Sequence, residues 1–465
     1  MQLAIVILAA GKGTRLKSKR AKVLHEIGGK ALLRHVIASA SQIVPPSDIF
    51  VIIGHEAAQV EAAVKDTGVK FVHQPEQRGT GHAVKVAQSA VQGYDSLLVL
   101  SGDVPLLRPE TIARLRDAHF EQRAAMTILT ASPDDPAGYG RVLRRQPGSP
   151  EVAAIIEQNA LTPQQQGIRE INSGIYAFQA KPLFAHIGEI RTNNAHGEYY
   201  LTDLAGLLVE AGERVVAIEA PRATEVLGAN TIAEMMELDR ELRMETARKL
   251  MDSGVTVIRP DTVVIDSSVK VGADTIIEPF VQLLGETKVG QNCRIRSYSV
   301  IEDSALSDYV LVLHGCVITG ARIAHGALIG PYSHLRPESD IGESAHVGNF
   351  VETKKARLGK GSKANHLTYL GDADIGAGSN IGAGVITCNY DGVHKHRTLI
   401  GDRAFVGSDS TLVAPLTIGA GAYIAAGSCI TEDVPENALA LGRSRQTTKE
   451  GWASAKRGDG NPHDS

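Results

Sequence analysis

The C-terminal half carries a six-residue repeat, and this repeat constrains the fold more than any other feature. An aliphatic residue recurs at every sixth position in the series Ile400, Val406, Leu412, Ile418, Ile424 and Ile430. Similar aliphatic–glycine pairs begin at Val271-Gly272 and recur, with slips in spacing, through Ile381-Gly382. A period of six is typical of a parallel β-helix, in which each repeat forms one flat face and three repeats form one coil. An irregular glycine-rich β domain would not require such a period.

The N-terminal half has a different pattern, in which strand-like and helix-like runs alternate. The strand-like runs are 3–8, 49–53, 97–100 and 126–130, and the helix-like runs are 32–40, 57–63, 82–90 and 109–119. Alternation of this kind predicts a doubly wound, Rossmann-like α/β sheet. Ligands of such sheets bind at the carboxyl ends of the strands, so candidate site residues are sought there.

Residues 231–252 lack Gly and Pro and are rich in Glu, Arg, Met and Leu, which predicts one long exposed helix that Gly254 ends. Such a helix is a natural linker between domains. We therefore expect an α/β domain at 1–229, a linker helix at 230–252 and a β-helix at 253–454. The polar and glycine-containing segment at 455–465 is expected to be a disordered tail.

The overall composition argues against several classes of protein. A net charge of −4 does not suit a nucleic-acid binder, which needs a basic excess for phosphates. The four cysteines form no C-x-x-C pair, so zinc and thioredoxin-like chemistry lack support. No run approaches the ~20 apolar residues of a membrane span, and the apolar start is more typical of a buried strand than of a signal peptide. We expect a cytoplasmic protein.

A glycine-rich turn follows the first strand, in the sequence Leu8-Ala9-Ala10-Gly11-Lys12-Gly13-Thr14-Arg15. Small residues let a backbone approach a phosphate, although this turn is neither a dinucleotide fingerprint nor a P-loop. Lys12, Arg15 and Lys22 would neutralise a triphosphate. The plainer alternatives are a turn that serves only packing and a solvated basic loop.

A second candidate follows the strand at 97–100, in the sequence Ser101-Gly102-Asp103-Val104-Pro105. A carboxylate at the carboxyl edge of a sheet can bind a divalent metal that bridges phosphates. The alternative is that Asp103 is only a turn residue before Pro105.

These motifs occur together with a Q-x-x-Q-x-G-T-G-H-A pattern from Gln74 to Ala83, and with Gly138-Tyr139-Gly140-Arg141, Glu157, Ile171-Asn172-Ser173-Gly174 and the run 198–203. The combination resembles the sugar-nucleotidyltransferase family. With the hexapeptide half attached, the chain to about residue 454 resembles the bacterial bifunctional GlmU family. That resemblance implies N-acetylglucosamine-1-phosphate uridylyltransferase activity in the N-terminal domain. It also implies glucosamine-1-phosphate acetyltransferase activity in a left-handed parallel β-helix.

The resemblance implies roles for individual residues of the N-terminal half. Those that would bind the nucleotide or the sugar are Leu8, Ala9, Ala10, Gly11, Lys22, Gln74, Gly79, Thr80, Ser101, Gly102, Asp103, Gly140, Glu157, Asn172 and Asn230. Arg15 and Lys22 would act on the phosphates of UTP, and Asp103 and Asn230 would hold Mg2+. Ser101 stands where family members often have Tyr, which would alter packing near the base or the sugar.

The β-helix carries polar residues that its repeat does not require. They include Arg336, Lys354, His366, Tyr369, Asn380 and Tyr390. A lone histidine on a solenoid is usually a surface residue. Beside these neighbours, His366 is a candidate general base next to a phosphate clamp, because an imidazole titrates in the range needed to take a proton from an attacking amine. Cys388 is interpreted as a small packing residue, since a thioester is already activated.

By the same resemblance, His366 is the catalytic base of acetyl transfer. Glucosamine 1-phosphate would be bound by Arg336, Lys354, Tyr369 and Asn380, and acetyl-CoA by Ala383, Asn389, Tyr390, Ser408, Ala426 and Arg443. Asn365 replaces a Gly that is common before the catalytic His, and we expect the turn to tolerate it, although Asn has less backbone freedom than Gly. The family assembles as homotrimers through the β-helices, with acetyl sites between subunits.

We therefore interpret the chain as a two-site enzyme. It would acetylate glucosamine 1-phosphate with acetyl-CoA and then join the product to UMP from UTP, releasing pyrophosphate. The product, UDP-N-acetylglucosamine, would feed cell-wall synthesis. One alternative is a nucleotidyltransferase whose β-helix only assembles or regulates it, and another is a non-catalytic scaffold. Asp103 and Asn230 count against the scaffold, and His366 with its basic neighbours counts against the narrower enzyme.

Overall fold

The computed structural model describes residues 2–194 and 197–458. It divides the chain into two compact units, Met1–Glu245 and Thr246–Ser465. Within the described residues, none of the helices is long and apolar enough to cross a membrane.

The N-terminal unit is built on one mixed sheet. Its strands, with the small separate hairpin β2–β3, are β1 (Leu3–Leu8), β2 (Glu26–Ile27), β3 (Lys30–Ala31), β4 (Ile49–Ile53), β5 (Lys70–His73), β6 (Ser96–Ser101), β7 (Met126–Ala131), β8 (Arg141–Arg144), β9 (Val152–Ile156), β10 (Ile171–Gln179) and β11 (Val215–Glu219). The order across the sheet is β11-β7-β10-β6-β1-β4-β5, with β8 and β9 as a side branch. Strands β1, β4, β5 and β6 are parallel, whereas β10 runs antiparallel to both β6 and β7.

Helices pack their apolar sides on both faces of this sheet, as the alternating sequence pattern predicts. The helices are α1 (Leu32–Ala40), α2 (Ala57–Val64), α3 (Thr80–Val86), α4 (Pro109–Gln122), α5 (Ala180–His186) and α6 (Asp203–Glu210). Side chains of β1 alternate between two cores, with Ile5 and Ile7 in one and Ala4 and Val6 in the other. Helix α3 begins two residues before the predicted start at 82 and ends at Val86, earlier than the predicted end at 90.

Helix α7 (Ile232–Asp252) follows the N-terminal domain and contains the boundary between the two units. The expectation of an exposed helix is wrong for one side of it, because Met235, Leu238, Ala247 and Leu250 are buried. Met235 and Leu238 pack with Ile27 and Leu32 in the N-terminal unit. An amphipathic stripe, rather than uniform polarity, therefore holds this helix in place.

The C-terminal unit is a parallel β-helix with three sheets, each built from one short strand per coil. Sheet 1 contains Thr256–Val257, Ile276–Ile277, Arg294–Ile295, Leu311–Val312, Leu328–Ile329, His346–Asn349, Lys363–His366, Asn380–Ile381, Phe405–Val406, Tyr423–Ile424 and Leu439–Ala440. Sheet 2 contains Val264–Ile265, Gln282–Leu284, Val300–Glu302, Val317–Thr319, His334–Leu335, Glu352–Lys354, Tyr369–Gly371, Ile386–Cys388, Thr411–Val413 and Cys429–Ile430. Sheet 3 contains Lys270–Val271, Lys288–Val289, Ala305–Leu306, Arg322–Ile323, Asp340–Ile341, Arg357–Leu358, Ala373–Ile375, Thr398–Ile400 and Leu416–Ile418.

The interior of the coil contains the repeated aliphatic residues that define the sequence period. Ile329, Val347 and Leu412, for example, are each 0% exposed. The hexapeptide period and the three stacked sheets are those of a left-handed parallel β-helix. An insertion at 389–398 interrupts the period between sheets 2 and 3, and a bridge between Tyr390 and Lys395 closes it.

A short helix, α8 (Trp452–Gly458), lies near the end of the described chain. Residues 455–458, which the sequence analysis assigned to a disordered tail, belong to this helix. Its sequence, Trp-Ala-Ser-Ala-Lys-Arg-Gly, is alanine- and lysine-containing and therefore compatible with a helical turn. Residues 459–465 of the predicted tail lie outside the described residues.

Candidate active sites

The N-terminal candidate residues lie where parallel strands of the sheet end. Leu8 and Ser101 are paired at the ends of β1 and β6, and the Leu8 carbonyl accepts a hydrogen bond from the Gly102 N–H at 2.9 Å. On the other side, the Gln74 N–H donates to the carbonyl of Ile53 at the end of β4. The structure thus places the turn after β1, the Gly-Asp pair after β6 and Gln74 along one edge, as the fold class predicts.

Lys22, Asp103 and Asn230 form the most compact group at this edge. The Lys22 ammonium pairs with a carboxylate oxygen of Asp103 and donates a hydrogen bond to the Asn230 Oδ1 at 3.0 Å. Two side-chain oxygens from distant parts of the chain therefore converge on one cation. Carboxylate and amide oxygens are also the ligands that Mg2+ prefers, so the donor set fits a divalent metal. Within the described residues there is no cluster of three or more His, Cys, Asp or Glu that would hold a metal elsewhere.

Gln74, Gly79 and Thr80 form a second group, around the start of α3. Gly79 has a φ of +104°, and a Cβ added there would lie 2.6 Å from the Tyr199 carbonyl oxygen. The position therefore requires glycine for both conformation and space. Thr80 Oγ1 accepts the Leu201 N–H at 3.0 Å, so the Q-x-x-Q-x-G-T-G-H-A segment and the 198–203 run pack together.

A third group contains the candidate sugar-binding residues. The Asn172 N–H donates to the Gly140 carbonyl, and the Asn172 side-chain amide donates to the buried Tyr176 hydroxyl at 2.8 Å. Glu157 accepts a hydrogen bond from the Thr202 hydroxyl at 2.8 Å. The Ser101 hydroxyl donates to the Gly174 carbonyl at 3.3 Å, so the small residue at this position links β6 to the start of β10.

Arg15 and Gly11 are exposed, and the side chain of Arg15 lies near Tyr139. Burial and the negative charges of Glu234 and Asp103 raise the pKa of Tyr139, while the positive charge of Arg15 lowers it. Tyr139 therefore belongs to the neighbourhood of the cation-binding oxygens, although the sequence analysis gave it no role. Its position inside the Gly138-Tyr139-Gly140-Arg141 motif was the available signal.

In the C-terminal unit, His366 and three candidate acetyl-CoA residues form one row along the corner between sheets 1 and 2. The His366 carbonyl accepts the Gly384 N–H, the Ala383 carbonyl accepts the Asp409 N–H and the Ser408 carbonyl accepts the Gly427 N–H. His366, Ala383, Ser408 and Ala426 thus occupy equivalent positions in successive coils. The His366 side chain is exposed, as a base that must reach a bound substrate requires.

The candidate phosphate clamp lies at the next corner of the coil. Arg336 and Lys354 occupy equivalent positions in successive coils, and the Arg336 guanidinium donates to Glu352 at 2.9 Å. The neighbouring ammonium of Lys395, together with Arg336, lowers the pKa of Lys354. Gly371 pairs with Lys354, and the Tyr369 hydroxyl lies so close to Gly371 that a Cβ there would clash with it. Tyr369 therefore also lies at this corner.

Lys395 was not among the predicted site residues. It comes from the insertion at 389–398, and with Asp372 and His396 it lines a cavity of ≈ 740 Å³. The break in the hexapeptide period marked this segment, but no local pattern indicated which of its residues would meet Lys354.

The remaining candidates of this unit are less closely connected. The Asn389 side-chain amide donates to Asp372, whereas Tyr390 is 59% exposed and its hydroxyl donates to the Gly392 carbonyl at 2.6 Å. Asn380 lies in sheet 1. Arg443 lies at the end of the His366 row, where its side chain is 4.0 Å from the position that a Cβ on Gly427 would take.

Asn365 stands at a regular strand position and not at the left-handed position of its corner. Asn365 lies within the strand Lys363–His366, and the left-handed residue of this corner is Leu367, with a φ of 50°. The backbone at position 365 therefore does not need the freedom of glycine.

Comparison with known proteins identifies both halves of the chain. Residues 5–171 match the family described as "MobA-like NTP transferase domain", and residues 268–303 match "Bacterial transferase hexapeptide (six repeats)". Three relatives carry the name "Bifunctional protein GlmU". The protein from Koribacter versatilis is 61% identical over 98% of both chains. Those from Solibacter usitatus and Trichlorobacter lovleyi are 53% and 46% identical, each over 98% of this chain and over 97% and 99% of their own.

Similarity over 98% of the chain extends across both units. The chain therefore belongs to the bifunctional GlmU family of enzymes, which combine uridylyltransferase and acetyltransferase activities.

Proposed function

We propose that the two units divide these activities between them. Uridylyl transfer is assigned to the domain at 1–229, and acetyl transfer is assigned to the β-helix at 253–454. Helix α7 connects these two parts of the chain. The observation that carries this assignment is the convergence of the Asp103 and Asn230 oxygens on one cation at the edge of the N-terminal sheet. The basic cluster and the exposed imidazole of the β-helix suit a different reaction.

In the N-terminal site, a phosphate oxygen of N-acetylglucosamine 1-phosphate attacks the α-phosphorus of UTP. A phosphorus–oxygen bond forms, the bond between that phosphorus and the bridging oxygen breaks, and pyrophosphate leaves. Mg2+ held by Asp103 and Asn230 would offset the negative charge of the phosphates. Lys22 and Arg15 contribute positive charge to the same phosphates, and positioning plus charge neutralisation accounts for most catalysis in such transfers.

In the C-terminal site, the amino nitrogen of glucosamine 1-phosphate attacks the thioester carbonyl of acetyl-CoA. The new carbon–nitrogen bond replaces the carbon–sulfur bond, and the coenzyme leaves as a thiol. His366 accepts the proton that the amine loses and passes it to the departing sulfur. Arg336, Lys354 and Tyr369 bind the sugar phosphate, while Ala383, Ser408, Ala426 and Arg443 line the path of the coenzyme beside His366.

A homotrimer joined through the β-helices is part of this proposal. The corner that contains His366 carries large apolar side chains in left-handed conformations, and they are 46–64% exposed: Phe280, Tyr298, Tyr332, Phe350 and Leu367. An exposed apolar row of this kind is typical of a surface that another protein covers. Packing of a second copy there would bring its residues next to His366. UTP, acetyl-CoA and the sugar phosphates are substrates found in the cytoplasm. We therefore place the enzyme there.

The two half-reactions test this assignment when they are measured separately on the full chain. Asp103→Ala is expected to abolish uridylyl transfer and to leave acetyl transfer intact, and His366→Ala is expected to do the reverse. Pyrophosphate release reports the first reaction, and free coenzyme thiol reports the second. Normal acetyl transfer by His366→Ala would show that the base is another group. Loss of both activities in either variant would contradict the division between units.

A further inference from the structure

Glu234 has no assigned role, yet it contacts the backbone of Asn230, one of the two candidate metal ligands. We propose that Glu234 is a positioning residue that fixes the backbone of Asn230, so that the Asn230 side-chain oxygen reaches a divalent cation beside Asp103. This inference rests on the proposed function, which puts Mg2+ between Asp103 and Asn230. It adds a residue that acts on the metal only through one of its ligands.

The contact is a hydrogen bond from the backbone of one residue to the side chain of the other. The Asn230 N–H donates to the Glu234 Oε2 at 2.8 Å, and the Glu234 N–H donates to the Thr231 hydroxyl oxygen at 3.2 Å. The pair resembles a capping box at the start of α7, in which the carboxylate normally turns back to the N–H of the cap residue. Here the carboxylate accepts from the residue before the cap, which is the candidate metal ligand.

The two residues before Asn230 are held against Asp103. The Ala229 N–H donates to the Asp103 carbonyl at 3.2 Å, and Ala229 is fully buried. A Cβ added to Gly228 would lie 3.2 Å from the Asp103 Oδ2, so the absence of a side chain lets the chain pass close to this carboxylate. The backbone of Asn230 is therefore fixed by Asp103 on one side and by Glu234 on the other.

The Asn230 side chain depends on this support because its contact with Lys22 does not persist when a metal binds. In the metal-free protein, the Asn230 Oδ1 accepts a hydrogen bond from the Lys22 ammonium at 3.0 Å. When this oxygen binds a cation instead, the side chain loses Lys22 as a partner. Asparagine has only two side-chain torsions, so the place of its oxygen follows closely from the backbone. Loss of a contact that orients a metal ligand typically lowers metal affinity by about 10–100-fold.

A direct effect of the Glu234 charge on the cation is the alternative explanation. Burial and then the negative charges of Glu234 and Asp103 raise the pKa of Tyr139, which shows that the Glu234 carboxylate lies near this site. Glu234 is exposed, however, and salt strongly screens an exposed charge. The hydrogen bond to Asn230 is therefore expected to have the larger effect, and variants that separate reach from charge distinguish the two explanations.

The test is the affinity of the full-length, nucleotide-free protein for Mn2+, measured by electron paramagnetic resonance near physiological ionic strength. Glu234→Ala removes both the acceptor and the charge, and the affinity is expected to fall about tenfold. Glu234→Gln keeps an acceptor oxygen at the same reach without the charge, so the affinity should stay within about threefold of the wild type. Glu234→Asp keeps the charge but is one methylene shorter, so it should behave as Glu234→Ala.

Two further variants provide the controls. Glu237→Ala is matched to Glu234→Ala, because Glu237 is an exposed acid of the same helix that pairs with Arg240 instead, and it should leave the affinity unchanged. Asn230→Ala removes the ligand itself and gives the largest loss that this site allows.

Wild-type affinity in Glu234→Ala and Glu234→Asp would overturn the inference, and so would a fall in Glu234→Gln as large as that in Glu234→Ala. An equal fall in Glu237→Ala would show that loss of any acid from α7 is sufficient. Wild-type affinity in Asn230→Ala would instead refute the metal site of the proposed function.

Discussion

Asp103 and Lys22 form an ion pair at the edge of the N-terminal sheet, with side chains only 21% and 16% exposed. The Lys22 ammonium also contacts the Asn230 Oδ1 at 3.0 Å. It therefore occupies the place where a divalent cation would contact the same two oxygens. Metal and ammonium should compete for that place until phosphates draw the lysine away.

Removal of the Lys22 charge should therefore strengthen metal binding in the absence of nucleotide. In Lys22→Met the two oxygens lose their competing cation, and Mn2+ affinity is expected to rise on the order of tenfold, since one unit charge at contact distance is removed. Electron paramagnetic resonance of Mn2+ titrated into the nucleotide-free protein measures this. Uridylyl transfer should nevertheless fall, because the phosphates lose a counter-charge.

Lys12→Met is the matched control, because Lys12 is an exposed cation of the same glycine-rich segment. It should leave Mn2+ affinity within about twofold of the wild type, since exposed charges are strongly screened. Weaker Mn2+ binding by Lys22→Met, or an equal gain in Lys12→Met, would contradict the competition.

Gly79 and Gly93 allow a direct test of the packing around the start of α3. Their φ angles are similar, at +104° and +98°, but a Cβ on Gly79 would lie 2.6 Å from the Tyr199 carbonyl oxygen, while one on Gly93 would meet nothing within 4 Å. Both substitutions by Ala should cost about 1–2 kcal/mol of unfolding free energy through backbone strain. Gly79→Ala should cost a further ~1–3 kcal/mol through the clash.

The loss of unfolding free energy in each variant is measured by urea denaturation, with hydrogen exchange in the N-terminal unit as the readout. Gly79→Ala should also lower uridylyl transfer and spare acetyl transfer. Equal stabilities of the two variants would show that the Tyr199 segment moves away without cost.

The β-helix could be predicted from sequence because its interior imposes a local rule. One aliphatic residue fits each face, so Leu412, Ile418 and Ile424 follow six residues apart and are all buried. The first strand and helix α1 were also predicted with their observed bounds, since the strand is an unbroken apolar run and the helix has a clear apolar period.

The order of strands in the N-terminal sheet could not be predicted in the same way. Strand β10 lies between β6 and β7 and runs antiparallel to both, with an irregularity between Asn172 and Ile175. Pairing of this kind depends on which distant strands meet, and nothing within β10 specifies them. The contact of Lys395 with Lys354 was missed for the same reason.

The exposed apolar corner predicts how the oligomer should respond to mutation. The rings of Tyr332 and Phe350 stack with centroids 5.7 Å apart, and they are 55% and 56% exposed in the single chain. Tyr332→Ser combined with Phe350→Ser should change the stability of an isolated chain little, but it should remove apolar area from the proposed interface. Sedimentation is expected to shift from a trimer to smaller species, with loss of acetyl transfer.

Tyr309 provides the control for this prediction. It is 57% exposed but belongs to the corner between sheets 3 and 1. Tyr309→Ser should leave both sedimentation and acetyl transfer unchanged. A trimer that survives the double substitution would place the interface on another face of the coil.

His119 should make the N-terminal unit less stable in mild acid. It is 2% exposed, and its Nδ1 contacts the Thr127 hydroxyl at 2.9 Å, while its Nε2 has no hydrogen-bond partner among the described residues. Burial lowers its pKa to about 4. Between pH 6.5 and about 4 the unfolded chain therefore binds a proton that the folded chain refuses, so the free energy of unfolding falls as the pH falls through this window. The slope is at most about 1.4 kcal/mol per pH unit.

His119→Phe should remove this component, which urea denaturation at several pH values would detect. Substitution of the exposed His73 by Phe should retain this component, because it leaves His119 unchanged. An equal pH dependence of the wild type and His119→Phe would show that His119 is not its source.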